Sequence, residues 1–290
     1  MKSVLLTFCF VLYLFGSCEE LKIENNASNS FVGSKLGFSS TLNTNFKIYD
    51  KNTKKEFFSA NFAPNYLSSV LLGGGYNENI ILAFSNGYAY KIISNQNQEV
   101  MINPQKSGII APITLIRDYK DILAFIFARN AAIIYDSANN IQKTLSFENH
   151  SKIIDAKLNE QDLFLLCFDR NIYKLNTTNS SFELIAQAPN IANSLDLLDL
   201  KPIVALNNGF AFYENKSIKI SNNNLTKVLV NDDKIYFGDS KGNVFIYSKD
   251  LKLENSIKLN SDEAIKDMKI LDNLYISLWN GQVFVCKTKS

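Results

Sequence analysis

One histidine, one tryptophan, three methionines and five prolines in 290 residues leave little material for most site chemistry. The histidine, His150, stands in a polar stretch, Glu148-Asn149-His150-Ser151, that reads as a surface loop. A Ser-His-Asp arrangement would have to use it, and no Gly-Xaa-Ser-Xaa-Gly elbow is present to supply the nucleophile. Zinc centres need clustered His and Cys ligands, and these are missing as well. Charge of one sign is also lacking. With 30 Lys and Arg against 28 Asp and Glu, the net charge is +2, so no basic footprint for nucleic acid exists. The densest basic stretch, Lys51 to Lys55, reads as a solvated loop. No apolar run exceeds about a dozen residues, too short to span a bilayer as a helix.

What the chain does have is one motif repeated along its length. A short apolar run leads into a tight polar turn and then into an alternating apolar run. The copies are Ile80 to Ile92, Ile122 to Tyr135, Leu163 to Leu175, Ile203 to Tyr213, Ile235 to Tyr247 and Tyr275 to Val285, with a weaker copy at Phe38 to Tyr49. Starts fall about 40 residues apart, the period of a propeller. Asn86-Gly87, Asn208-Gly209 and Asn280-Gly281 are two-residue hairpin signals, because both residue types tolerate positive φ. Arg129-Asn130, Arg170-Asn171 and Lys241-Gly242-Asn243 serve the same purpose. Further short apolar runs precede the hairpins (Val70 to Leu72, Ile113 to Ile116, Ile153 to Leu158, Leu195 to Leu200, Val228 to Val230, Met268 to Leu271). Others follow them, such as Phe57 to Phe62 and Phe182 to Ala186. The pattern predicts an all-β protein: a seven-bladed, WD40-like β-propeller with four-stranded antiparallel blades. Because the first copy is weak, six or eight blades stay open. The last hairpin ends near Cys286 and leaves no room for a fourth strand. A ring must hide its edges, so a segment near Leu21 to Glu24 or Phe31 to Leu36 is expected to supply it.

The N-terminus reads as a targeting segment. Lys2 precedes an apolar run from Val4 to Phe15, the length of a signal-peptide core. Leu14-Phe15-Gly16-Ser17-Cys18 resembles the lipobox of bacterial lipoproteins, although Phe15 stands where that family has Leu. The resemblance implies cleavage before Cys18 and a diacylglyceryl group on its sulfur. Secretion with cleavage near Gly16 or Ser17, or an uncleaved anchor, are the alternatives. Glu19 leans toward the outer membrane, and the choice between inner and outer stays open. The expected divisions are a signal peptide at 1–17, a lipidated polar tether at 18–30 and one propeller at 31–290. Asn26, in Glu24-Asn25-Asn26-Ala27-Ser28, is a candidate glycosylation acceptor. Its acidic residue two places earlier resembles the extended acceptor of Campylobacter-type bacteria. Cys167 and Cys286 fall in strands of distant blades. They are expected as small buried apolar residues, with no disulfide between them.

Other features read as structure. Asp239-Ser240-Lys241-Gly242-Asn243 lacks the acid spacing of a calcium loop. Leu72-Gly73-Gly74-Gly75-Tyr76 runs into a strand and not into the helix that a phosphate cradle needs. Trp279 reads as core or blade-edge packing, and the recurrent tryptophans of quinone-binding propellers are absent. Asp121, Asp162 and Asp272 recur before three hairpins, where Asp forms turns. Converging in the channel, they would instead suit a lactonase or glycosidase-type propeller. Tyr66, Tyr76, Arg117, Asp118, Tyr119 and Asp232 are expected in loops, where propeller sites usually lie.

The lipobox-like leader, the degenerate repeats and the Asn, Lys and Ile richness together resemble the NapL-type accessory protein of periplasmic nitrate reductase in Campylobacter-like bacteria. More distantly they resemble the BamB-type lipoprotein of the β-barrel assembly machine, whose Trp-rich repeat signatures are poorly represented here. The resemblance implies a monomeric, non-enzymatic propeller without cofactor or metal, anchored in the periplasm and binding protein partners as an accessory or assembly factor. The BamB-type alternative is an outer-membrane scaffold, and the alternative of another class is the propeller hydrolase.

Overall fold

The computed structural model describes residues 18–23, 28–40, 43–73, 78–94, 97–128, 130–139, 141–147, 151–232 and 234–287. The leader at 1–17, Asn26, Tyr76 and His150 lie outside the described residues. Seven antiparallel sheets of four strands each form seven blades. The first strand of each blade lies at the hub, touching the first strands of both neighbours. These strands are Asn29–Val32, Leu67–Leu72, Ile113–Tyr119, Ile153–Asn159, Ala192–Leu198, Leu225–Asn231 and Ile265–Ile270.

The repeated sequence motif is the second and third strand of each blade. Second strands such as Ile80–Phe84 and Leu274–Leu278 are buried at every residue. Neighbouring blades cover both of their faces, which explains an apolar run without alternation. Between blades 2 and 3, Leu71, Ile81, Ile113, Phe125 and Phe127 form one cluster. Burial of each large side chain is worth about 1.5–3 kcal/mol. Outer strands such as Ile141–Ser146 alternate exposed and covered residues. In the Asn208-Gly209 turn, Gly209 sits at φ +82°, and a Cβ there would lie 2.1 Å from the Ser221 carbonyl oxygen.

This meander places the hairpin turns and the connections between blades on one face of the ring, here the upper face. The remaining two turns of each blade lie on the lower face. Six of the seven hub strands share a register shift after their first residue, at Ser68, Thr114, Ile154, Asn193, Thr226 and Lys266. Three of these residues tie their blade to the next hub strand. Ser68 Oγ donates to the Ile113 carbonyl at 2.7 Å, Asn193 Nδ2 to the Leu225 carbonyl at 2.6 Å, and Lys266 Nζ to the Ser30 carbonyl at 2.6 Å.

The N-terminus closes the ring, three residues earlier than the segment expected from sequence. Cys18–Glu20 is the fourth strand of blade 7, paired Cys18 to Cys286, Glu19 to Val285 and Glu20 to Phe284. Leu21 extends the ladder, its N–H donating to the Val283 carbonyl at 2.8 Å. Phe31 to Leu36, the other candidate, belongs to the first two strands of blade 1. The segment read as a tether therefore contains a blade-7 strand and the start of blade 1. The reading of Cys286 as a small apolar residue is corrected: its sulfur is bonded to that of Cys18, across 268 residues of chain and a Cα separation of 4.0 Å. Sequence patterning missed the strand because Cys-Glu-Glu has no apolar alternation. Cys167 is buried in blade 4 and outside any disulfide.

Candidate functional site: the hub and the upper face

Hub strands present alternate residues to the central channel, so a charge on one strand meets charges from the blades beside it. Asp155, in blade 4, is the centre of this arrangement and is buried. One carboxylate oxygen accepts from Arg117 Nη2 of blade 3 at 2.5 Å and from the Ala156 N–H at 2.8 Å. The other accepts from Ser194 Oγ and the Leu195 N–H of blade 5, both at 2.9 Å, and faces Lys227 Nζ of blade 6 at 4.0 Å. Lys227 also pairs with Asp267 of blade 7 at 3.1 Å. Arg117 completes its contacts with the Ala156 carbonyl at 2.6 Å and the Ile116 carbonyl at 2.8 Å. A second pair, Lys157 with Asp196 at 2.6 Å, joins blades 4 and 5, and Asp196 accepts the Val230 N–H of blade 6 at 2.9 Å.

The electrostatics follow from this packing. Burial alone would raise the Asp155 carboxyl, but Lys227, Arg117 and the Leu195 N–H hold it well below the usual carboxylate range. Burial opposes the charge on Lys227, and Asp267 and Asp155 outweigh it, so its ammonium is held above its ordinary value. The channel space beside these residues is about 150 Å³, below the roughly 300–1,000 Å³ of typical ligand sites. The hub charges face one another across blade boundaries and act as bolts between blades.

Lys266 differs from these groups. It bridges blade 7 to blade 1 through Asn29 Oδ1 and the Ser30 carbonyl, with its ammonium 3.7 Å from the Phe31 ring centroid and 5.8 Å from that of Trp279. Burial, with Lys227 nearby, pulls its pKa from 10.5 down to about 7, against the opposing pull of Asp267. Between about pH 7 and 10.5 the unfolded chain therefore holds more protons than the folded one, and this residue's penalty is relieved as pH rises through that window. Thermal melts of Lys266→Met against the parent should show the difference shifting in the parent's favour from pH 7 to pH 10. A constant difference would mean that Lys266 titrates normally.

Several expected loop residues lie elsewhere. Arg117, Asp118 and Tyr119 are on the hub strand of blade 3. Asp232 lies in a lower-face turn at φ +48°, and Tyr66 is an exposed upper-face residue. Asp162 pairs with Lys174 at 3.1 Å and Asp272 with Lys51 at 2.6 Å, while the Asp121 carbonyl accepts from Ser137. Asp121 and Asp272 lie in lower-face turns and Asp162 opens the second strand of blade 4 at the same end, each in a separate blade, and no group of three or more His, Cys, Asp or Glu suited to a metal occurs among the described residues. Asp239 caps its own hairpin, accepting the Lys241 and Asn243 N–H groups at 2.9 Å.

Of the two readings of Trp279, core or blade-edge packing, the core is excluded. Trp279 sits in the blade-7 hairpin turn and is 59% exposed. Phe168 occupies the same turn in blade 4, and Tyr66, Ile110 and Ile191 are exposed on connections between blades. By topology all five lie on the upper face, whereas Leu200 is the one large exposed apolar residue of the described lower-face turns. Ile93 is on the third strand of blade 2, and the others, among them Val100, Ile141, Leu184 and Leu253, are on outer strands.

Solved structures with the same architecture include the WD40 β-propeller domain of Doa1, with TM-score 0.70, 11% identity and coverage of 95% of this chain and 97% of that one. A chain of the Mitotic Checkpoint Complex matches with TM-score 0.72, 12% identity and coverage of 95% and 92%. The fold is that of a WD40 β-propeller. The computationally designed Ika8 protein is also similar, with TM-score 0.65, 10% identity and coverage of 94% and 83%. At these identities the likeness carries the architecture alone. No family model and no curated protein matches the chain.

Proposed function

We propose that this WD40 propeller is an exported, non-enzymatic scaffold that binds a partner protein through its upper face, as an accessory or assembly factor for a periplasmic respiratory enzyme. The observation that carries the binding surface is the placement of Tyr66, Ile110, Phe168, Ile191 and Trp279 on one face. Aromatic anchors of this kind dominate protein interfaces. A propeller chain found within the Mitotic Checkpoint Complex shows the same architecture at work in a protein assembly. The hub favours the same reading, because its charges are committed to neighbouring blades. Export rests on the leader, and the nitrate reductase system on the NapL-type resemblance of the sequence.

The test is mild crosslinking in the native host followed by capture and mass spectrometry of the parent, of Phe168→Asp with Trp279→Asp, and of Leu200→Asp. Nitrate reductase subunits or their maturation factors are expected with the parent and with the lower-face variant. The upper-face variant should lose them by roughly 10–100-fold, the range of hot-spot truncation. Recovery of barrel-assembly components, or loss through the Leu200 variant alone, would overturn the proposal.

A further inference from the structure

We infer that Cys18 of the exported protein is half of a ring-closing disulfide and not the acceptor of a lipid. The inference rests on the export proposed above and decides between the two cysteine chemistries that export allows.

A cysteine sulfur forms one bond besides that to its Cβ, so a diacylglyceryl thioether and a disulfide at Cys18 exclude each other. Geometry favours the disulfide. Cys18 and Cys286 are directly opposed partners at the end of an antiparallel ladder, and their sulfurs are joined. Cys18 packs on the apolar cluster that contains Leu274, Ile276 and Phe284. It is also the first residue of its strand, so no spacer separates a lipidated sulfur from the sheet. Acyl chains on that sulfur would have to emerge directly from the blade-7 edge. Reaching a bilayer would strip Cys18–Glu20 from the blade and expose Val283–Cys286 as an open edge, which closed rings avoid. Cys167 lies buried in blade 4 and offers no alternative partner.

Forming the bond converts two thiols into one disulfide by exchange, with two electrons and two protons passing to the disulfide of a thiol-disulfide oxidoreductase, which is reduced to its dithiol, in an oxidising compartment. Cleavage of the leader near Gly16 or Ser17, the secretory alternative read from the sequence, leaves the Cys18 sulfur available for it.

The experiment is intact-mass analysis of the full chain from acid-quenched cells of the native host, alkylated under denaturing conditions before and after reduction. The expected product has lost its leader, carries no acyl mass, and gains two further alkyl groups only on reduction, at Cys18 and Cys286. Acyl mass on Cys18 with Cys286 alkylated before reduction overturns the inference and leaves export standing. Loss of the leader with both cysteines alkylated and no lipid overturns it too. Retention of the leader with every cysteine alkylated refutes export, and the inference falls with it. A Cys18→Ser variant gives an independent readout: the leader is expected to be removed as in the parent, and accumulation of precursor would mean that processing depends on lipidation of the cysteine.

Discussion

Replacing Asp155 by alanine is expected to lower stability by about 3–5 kcal/mol, the cost of leaving a buried charge without its partner. For a protein of this size that corresponds to a fall in Tm on the order of 10 °C. The effect arises because Asp155 serves three blades at once: Arg117 on one side, Ser194 and Leu195 on the other, and Lys227 facing it in the channel. Asp155→Asn preserves the shape but keeps only one of the two acceptor oxygens and loses the charge, and should incur most of the same loss. Joint replacement with Arg117→Met and Asp155→Leu should recover much of it, because an apolar pair of similar volume removes the unpaired cation. The folded carboxyl is held below its unfolded value, so its contribution is full above about pH 4 and disappears as pH falls through the folded pKa. Differential scanning calorimetry from pH 2 to pH 7 should therefore find the parent's advantage over Asp155→Asn constant above about pH 4 and shrinking steadily below it, toward convergence only under more acid conditions. Equal melting of parent and variant at pH 7 would show that the hub charges do not hold the ring.

Removing residues 18–23 is expected to have an effect of similar or greater size. The truncation takes away the disulfide, typically worth about 2–5 kcal/mol, the fourth strand of blade 7, and the packing of Leu21 and Ile23 between blades 7 and 1. It also bares the Val283–Cys286 edge, a template for pairing with other chains. Size-exclusion chromatography should show self-association, and circular dichroism a fall in Tm on the order of 10 °C or more. Cys286→Ser separates the two contributions. It keeps the strand and removes only the covalent link, so it should melt between the parent and the truncated chain. An unchanged melt on truncation would mean that the hub alone closes the ring.

The blades were legible because their signals are local. Asn-Gly turns set the hairpins, and continuous apolar runs such as Ile80 to Phe84 announced strands covered on both faces. The hub was not legible in that way. Ile153 to Leu158 reads as an apolar strand, and its Asp155 and Lys157 look like ordinary alternation toward solvent. The same pattern recurs at Arg117, Asp196, Lys227 and Asp267, and that recurrence was the available signal. Its meaning depends on seven strands facing one axis, which no single repeat contains. Trp279 shows the converse: hydrophobicity suggested burial, and its position in an upper-face turn exposed it.

The sequence by itself determined the all-β class, the propeller architecture, the four-stranded blade and the need for an N-terminal strand to close the ring. Each follows from spacing, turn chemistry and periodicity within about forty residues of chain. The tertiary structure fixed the count at seven blades. It also decided which residues close the ring, that Cys18 meets Cys286, that scattered charges converge at the hub, and that five apolar side chains share one face. These are contacts between segments up to 268 residues apart. Periodicity along the chain carries no record of such pairings, because closing the ring is what brings the segments together.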